Sequence, residues 1–268
     1  MAHSTILYLF SQFLVHFLPM GGKMEASTPS KLALNRPLIR VEDSLIKHVY
    51  LSFDDGPVLG TKNSIVVCSN HNASATFFEV GLHQSRSNAG KKLYKNILEK
   101  DSLFALCNHS FSHAYGKYKA FYHAPRAALR DFMLAQKLLQ PKNNILRLPG
   151  NNAWNIKETE RASGLVRPLV RLLDSAGFNI IGWDMEWRFN KKGRPVQSPE
   201  AIVALVDSLF KLNQTVTKNH LVILMHDHMF KTSVDSIQLD KMIALLQRNP
   251  NYHFEKLTQY PGLKHSMN

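Results

Sequence analysis

From about residue 44 onward, short apolar runs alternate with longer stretches in which apolar residues recur every three or four positions. The short runs read as strands: KHVYLSFD (47–54), SATFFEVG (74–81), SLFALCNH (102–109), NILRLPG (144–150), FNIIGWD (178–184), HLVILMH (220–226) and YHFEKL (252–257). Between them lie helix-like stretches: TKNSIVVCSNH, GKKLYKNILEK, APRAALRDFMLAQKLLQ, KETERASGLVRPLVRLLDSAG, SPEAIVALVDSLFKL and DSIQLDKMIALLQRN. Strands separated by helices are joined by crossovers and so lie parallel. Most of the runs are apolar at both odd and even positions, which fits burial on two faces, as in a barrel, better than a one-sided sheet. The pattern predicts an α/β fold, a distorted (β/α) barrel of seven to eight strands. It occupies residues 44–262, with no repeat or linker to mark a second domain.

A barrel gathers function at the C-terminal ends of its strands. Those ends carry, in order, Asp54 and Asp55; His109 with His113; Arg147; Asp184 with Glu186 and Trp187; and His226 with Asp227. Any one of these reads well as a cap or a surface residue. A whole series of independent caps is a poor explanation.

The stretch LSFDDGP (51–57) places two like charges side by side at the end of a buried strand, where they repel and resist desolvation. His109 and His113, four apart, would share one side of a helical turn, within reach of one ion. Two imidazoles and a carboxylate leave positions open for water and substrate, as a catalytic metal site requires. One aspartate would then bind the metal while the other takes a proton from the attacking water. The turn at Gly56-Pro57 would let both reach the mouth. Arg147 is the candidate for keeping them ionised, and His226 for protonating a leaving amine.

Thirty-three Lys and Arg against twenty Asp and Glu give a formal charge of +13, which favours anionic partners. Nucleic acid is not among the expected ones, because no basic run with interleaved aromatics, zinc finger or RNA-recognition signature is present. The two cysteines, Cys68 and Cys107, form no C-x-x-C pair and read as buried free thiols. Residues 5–19 are apolar but short and interrupted by Ser11, Gln12 and His16, so no stable membrane span is expected. With the small and polar residues that follow, residues 1–26 read as a signal peptide, although no basic n-region precedes them. The expected location is therefore periplasmic or extracellular, the alternative being a cytoplasmic protein with an ordinary N-terminal helix.

The order SFDDGP, ATFF, NHSFSH, RLPG, DMEW, LMHD resembles the polysaccharide deacetylases of carbohydrate esterase family four, the NodB-homology domain, over about residues 48–230. The resemblance implies a distorted barrel of that type and metal-dependent removal of N-acetyl, or O-acetyl, groups from a sugar polymer, commonly one containing N-acetylglucosamine. It implies Asp54 as base, with Arg147 orienting it. Asp55, His109 and His113 would hold zinc or another divalent transition metal. His226 would be the acid, tuned by Asp184. Trp187 and Leu224 would wall the acetyl methyl, and the Gly150 backbone N–H would hold the oxyanion. RLPG departs from the common R-P-P-Y, and Asn151, Asn152 and Trp154 would supply polar and stacking groups to the sugar in place of that Tyr. DMEW is one residue shorter than D-x-x-D-W, which leaves Asp184 and Glu186 in competition, and Cys107 stands where a Gly usually precedes NH. Two rivals remain: a hydrolase of another N-acyl compound, which would often lack the metal triad, and a non-catalytic carbohydrate-binding protein, which would lose Asp54 or His226.

Overall fold

The computed structural model describes residues 46–265. The segment 5–19 and the leader assigned to residues 1–26 lie outside the described residues. Ten strands form one sheet: β1 (Lys47–Gly56), β2 (Ala75–Glu79), β3 (Phe104–Asn108), β4 (Ile145–Leu146), β5 (Trp154–Ile156), β6 (Thr159–Arg161), β7 (Asn179–Ile180), β8 (Met185–Glu186), β9 (His220–His226) and β10 (Tyr252–Phe254). Their order is β6-β5-β7-β4-β3-β2-β1-β9-β8, and β10 adds beside the first residues of β1. All pairings are parallel except those of β5, which runs antiparallel to β6 and β7. The end strands β6 and β8 do not pair with each other, so the curled sheet is a half-barrel, the distorted form of the predicted architecture.

Among the described residues, eight α-helices connect the strands: α1 (Leu59–Asn70), α2 (Gly81–Arg86), α3 (Asn88–Glu99), α4 (Tyr118–His123), α5 (Pro125–Leu139), α6 (Arg167–Ser175), α7 (Pro199–Lys211) and α8 (Ser233–Leu246). Alternation along each strand divides the side chains between two layers. Val49, Leu51 and Phe53 of β1 join Phe77, Leu106, Ile223 and Met225 against α1, α7 and α8. Each such large apolar side chain contributes about 1.5–3 kcal/mol on burial. The opposite face carries Tyr50, Phe78, Cys107, Ile181 and Val222. This second layer leads up to the mouth of the half-barrel.

Each predicted strand run contains a strand, but β4 and β7 keep only two residues apiece, and β5, β6 and β8 are additions. The stretch predicted as a helix from Lys157 begins instead as the β5–β6 hairpin, and α6 starts at Arg167 with Pro168 in its first turn. A proline fits there because its missing N–H would have no helical partner in that turn.

Candidate active site

In β1, Tyr50, Ser52 and Asp54 point into the half-barrel, and strict alternation would turn Asp55 away. A bulge prevents this. Asp54 pairs with Phe78 and Gly56 with Glu79, leaving Asp55 as the extra residue, with φ at 73°. Both carboxylates therefore reach the mouth. Gly56 must lack a side chain, because a Cβ there would collide with the carboxylates of Asp227 and Glu79.

His109 follows β3, and the predicted helical turn over 109–113 is absent. Helical geometry gives way to a tight loop with Ser110 at φ 68° and His113, Ala114 and Tyr115 at 50°, 54° and 48°. Left-handed backbone costs such residues roughly 1–2 kcal/mol each. Side chains hold it in place: Ser110 Oγ accepts from the His113 N–H at 3.0 Å, and Asp131 Oδ1 from those of Phe111 and Ser112 at 2.8 and 3.1 Å.

The loop brings donor atoms of Asp55, His109 and His113 within 4.8 Å of one another. Asp55 Oδ1 lies 2.9 Å from His113 Nε2 and 3.5 Å from His109 Nε2. These contacts lack hydrogen-bond alignment, and Oδ1 is buried without a partner. His109 Nδ1 donates to the Arg147 carbonyl at 3.0 Å, which leaves Nε2 to offer its lone pair toward Asp55. Burial pushes the Asp55 carboxyl up, but the two histidines outweigh it and hold the group well below the usual carboxylate range. Two imidazoles and one anionic oxygen in this arrangement fit a divalent transition metal.

Arg147 is fully buried and commits every donor group. Nη1 donates to Asp54 Oδ1 at 2.8 Å and to Ser52 Oγ at 2.9 Å; Nε and Nη2 donate to the carbonyls of Ile181 and Gly182. Its guanidinium also lies 4.1 Å from the centre of the Phe78 ring. Asp54 Oδ2 is left 3.6 Å from His109 Nε2, beside the metal donors. His226 ends β9 directly opposite Asp54 in the ladder. Its Nδ1 is buried without a partner, and Phe189 meets its ring edge-on at 4.9 Å.

Several predicted roles need correction. Asp184 does not contact His226. Its carboxylate accepts from the N–H groups of Val216 and Val222 at 2.6 and 2.7 Å, four residues down β9 from the histidine. Burial raises its pKa to about 6 against the pull of those bonds. Glu186 pairs through its backbone with Leu224 in the β8–β9 ladder, on the face of β9 that also carries His226. Trp187 is fully buried, donating Nε1–H to the Gln197 carbonyl and packing on Phe230, so it does not wall the mouth. The half-exposed Phe189, two residues on, stands beside His226 instead. Trp154 is buried in β5 against Tyr260 and offers no surface to a sugar. Leu224 is buried two residues before His226 on the same face of β9. Gly150, at φ 64°, takes the left-handed turn after Pro149, with Asn151 half-buried beside it.

Residues missed from the sequence include Ser52, which braces Arg147 and was legible as the i−2 neighbour of Asp54, and His83, whose Nδ1 donates to the Asp55 carbonyl at 2.8 Å. Glu79 was missed too. It is fully buried behind Gly56, and burial, then the charges of Asp227, Asp55 and Asp54, push its carboxyl well up. Cys107 is a free thiol turned to Asn143, and Cys68 is likewise free and buried, as expected.

A family model described as polysaccharide deacetylase matches residues 42–153. The putative polysaccharide deacetylase YheN of Bacillus subtilis is 27% identical over 203 residues, spanning 69% of this chain and 64% of its own length, so the match leaves about a third of that relative uncovered. A peptidoglycan-N-acetylglucosamine deacetylase of Bacillus cereus is 26% identical over 208 residues, 75% of this chain and 68% of that protein. Among solved structures, the catalytic domain of peptidoglycan N-acetylglucosamine deacetylase from Eubacterium rectale superposes with a TM-score of 0.59 at 27% identity, covering 83% of this chain and 94% of that one. The Asp-Asp bulge, the converging Asp55–His109–His113 donors and the half-barrel that carries them agree with these matches: residues 42–153 match the polysaccharide deacetylase family, and the fold is that of carbohydrate esterase family four.

Proposed function

We propose that this protein hydrolyses the N-acetyl groups of an N-acetylglucosamine-containing cell-wall polysaccharide, releasing acetate and a free amino sugar. One observation carries the reading: a buried carboxylate, Asp54, is held by Arg147 at 2.8 Å immediately beside the three converging metal donors. A divalent metal at Asp55, His109 and His113, which we take to be zinc, would polarise the acetyl carbonyl and acidify a water. Asp54 takes the proton of the attacking water, with Arg147 fixing the carboxylate so that Oδ2 faces that water. The Gly150 N–H would donate to the developing oxyanion. His226, opposite Asp54 across the ladder, gives its proton to the departing sugar nitrogen. Its surroundings are Phe189 and His228 rather than Asp184.

Two relatives named for peptidoglycan N-acetylglucosamine deacetylation, and a formal charge of +13 suited to an anionic wall polymer, favour peptidoglycan over neutral chitin. An exported protein would meet that substrate, and the leader reading of residues 1–26 belongs with this proposal. Among the described residues, no helix is long and apolar enough to cross a membrane. The test is acetate release by zinc-loaded protein from peptidoglycan, chitin oligomers, acetylated xylan and poly-N-acetylglucosamine. Release is expected from the N-acetylated polymers, peptidoglycan first. Binding to a glycan with no acetate released from any of them would leave a carbohydrate-binding protein instead.

A further inference from the structure

The run from Glu79 to His83, where β2 passes into α2, bonds both backbone stretches that carry the metal donors. The Glu79 carbonyl accepts from the His109 N–H at 3.0 Å. The Val80 N–H donates to the Gly56 carbonyl at 2.8 Å, and those of Gly81 and Leu82 donate to the carbonyls of Ser110 and Phe111 at 3.1 and 2.9 Å. His83 completes the series through its side chain, Nδ1 donating to the Asp55 carbonyl at 2.8 Å. Five consecutive residues thus fasten the bulge of β1 and the loop after β3 to one another. The packing around them is close: a Cβ at Gly81 would meet the Phe111 ring at 2.9 Å, and one at Gly90 of α3 would come within 2.7 Å of the His83 carbonyl. Four of the five bonds are made by backbone groups and would survive most substitutions. Only the fifth depends on which side chain the sequence supplies.

That fifth bond falls where the ladder leaves a gap. Asp55 has no partner in the β1–β2 register, since Asp54 pairs with Phe78 and Gly56 with Glu79. A bulged residue stands outside the ladder, which leaves its carbonyl for another donor. A carbonyl can only accept, so His83 Nδ1 carries the proton. The bond secures the backbone at φ 73°, the conformation that turns the Asp55 carboxylate toward His109 and His113. His83 is not itself among the converging donors. We propose that His83 is a positioning residue for the metal: it acts through the Asp55 backbone, fixing the bulge so that the carboxylate is already aimed when an ion arrives. The inference rests on the metal reading of Asp55, His109 and His113 and deepens it. Partners that orient a ligand from outside are commonly worth about ten- to a hundredfold in metal affinity.

The experiment compares wild type, His83→Ala, His83→Asn and Asp55→Ala. Zinc affinity is measured by competition with a chromogenic chelator, and melting temperature with and without zinc. Asparagine offers an N–H donor one bond from Cγ, as Nδ1 is, but has nothing in the place of Nε2. His83→Ala is expected to weaken zinc binding about ten- to a hundredfold, lowering the melting temperature more in zinc than in its absence. His83→Asn is expected to bind zinc as wild type does. Wild-type zinc affinity in His83→Ala would overturn the proposal. So would a failure of His83→Ala to fold without zinc, which would make the ring a prop for the whole domain. A loss in His83→Asn equal to that in His83→Ala would overturn it too, by making Nε2 or the ring itself the working part. Asp55→Ala separates the two readings. If it binds zinc as tightly as wild type, the metal site and the positioning role fall together; if it loses zinc while His83→Ala keeps it, only the positioning role falls.

Discussion

The two adjacent aspartates have different neighbours and so should fail differently. Asp54 touches Arg147 and faces the metal donors, whereas Asp55 is one of the donors. Asp54→Asn keeps an oxygen for the guanidinium but cannot take a proton. Metal content should persist while kcat falls roughly a hundred- to ten-thousand-fold, the usual loss with a general base. It should also lower stability, because Arg147 is left buried without its anion. Asp55→Asn should lose metal and activity together, with excess zinc restoring part of the rate. Metal analysis beside kcat for both variants decides it, and the reverse pattern would exchange the two roles. A second prediction follows from the displacement of Asp184. Since its carboxylate serves the Val216 and Val222 N–H groups, Asp184→Asn should lower the melting temperature and leave the pH–rate profile where it was. A shifted basic limb would show that Asp184 does reach His226 in catalysis.

At the scale of the element, β9 joins the chemistry at its top to a histidine stack at its base. His220 lies parallel to His48 with centroids 4.3 Å apart, and its Nδ1 is 2.8 Å from the Tyr50 hydroxyl. Glu255 bonds both His48 and Tyr50, while Tyr260 and His253 close the group. Burial, then the charge of His48, lowers the His220 pKa from 6.5 to about 4, against the pull of Glu255. The unfolded chain therefore takes up this proton first. The stability His220 contributes is whole above about pH 6.5 and is lost as pH falls through about 4. His220→Asn should flatten the decline in melting temperature between those two values. An unaltered acid limb would assign the decline to other groups. The same element also marks where sequence reading succeeds. β9 is an unbroken apolar run bounded by two histidines, and its predicted limits coincide with the observed strand. β8, β5 and β6 offer two or three residues each, too few for periodicity to register.

Across the whole molecule, the half-barrel and the convergence of Asp55, His109 and His113 as candidate metal donors were legible, because a barrel places strand ends together and those ends carry the polar groups. What was not legible depends on backbone excursions and side-chain direction. The Asp55 bulge, the left-handed loop at 113–115 and the inward turn of Trp154 and Trp187 follow from local twist and packing that periodicity does not encode. Two of the metal donors sit on such excursions, Asp55 on the bulge of β1 and His113 on the strained loop after β3, so one ion would tie together two segments that the ladder alone does not secure. Binding free energy then becomes folding free energy. At a hundredfold excess over Kd, zinc should stabilise the protein by about 2.7 kcal/mol. For a chain of this size that raises the melting temperature by about 5–10 °C. Magnesium should do far less, since two imidazole donors disfavour a hard cation. A chelator should reverse the zinc effect without unfolding the protein, because the apolar layers on both faces of the sheet do not depend on the ion. Melting curves of wild type and Asp55→Ala with zinc, magnesium and chelator provide the check. A zinc shift as large in Asp55→Ala as in wild type would place the ion elsewhere on the molecule.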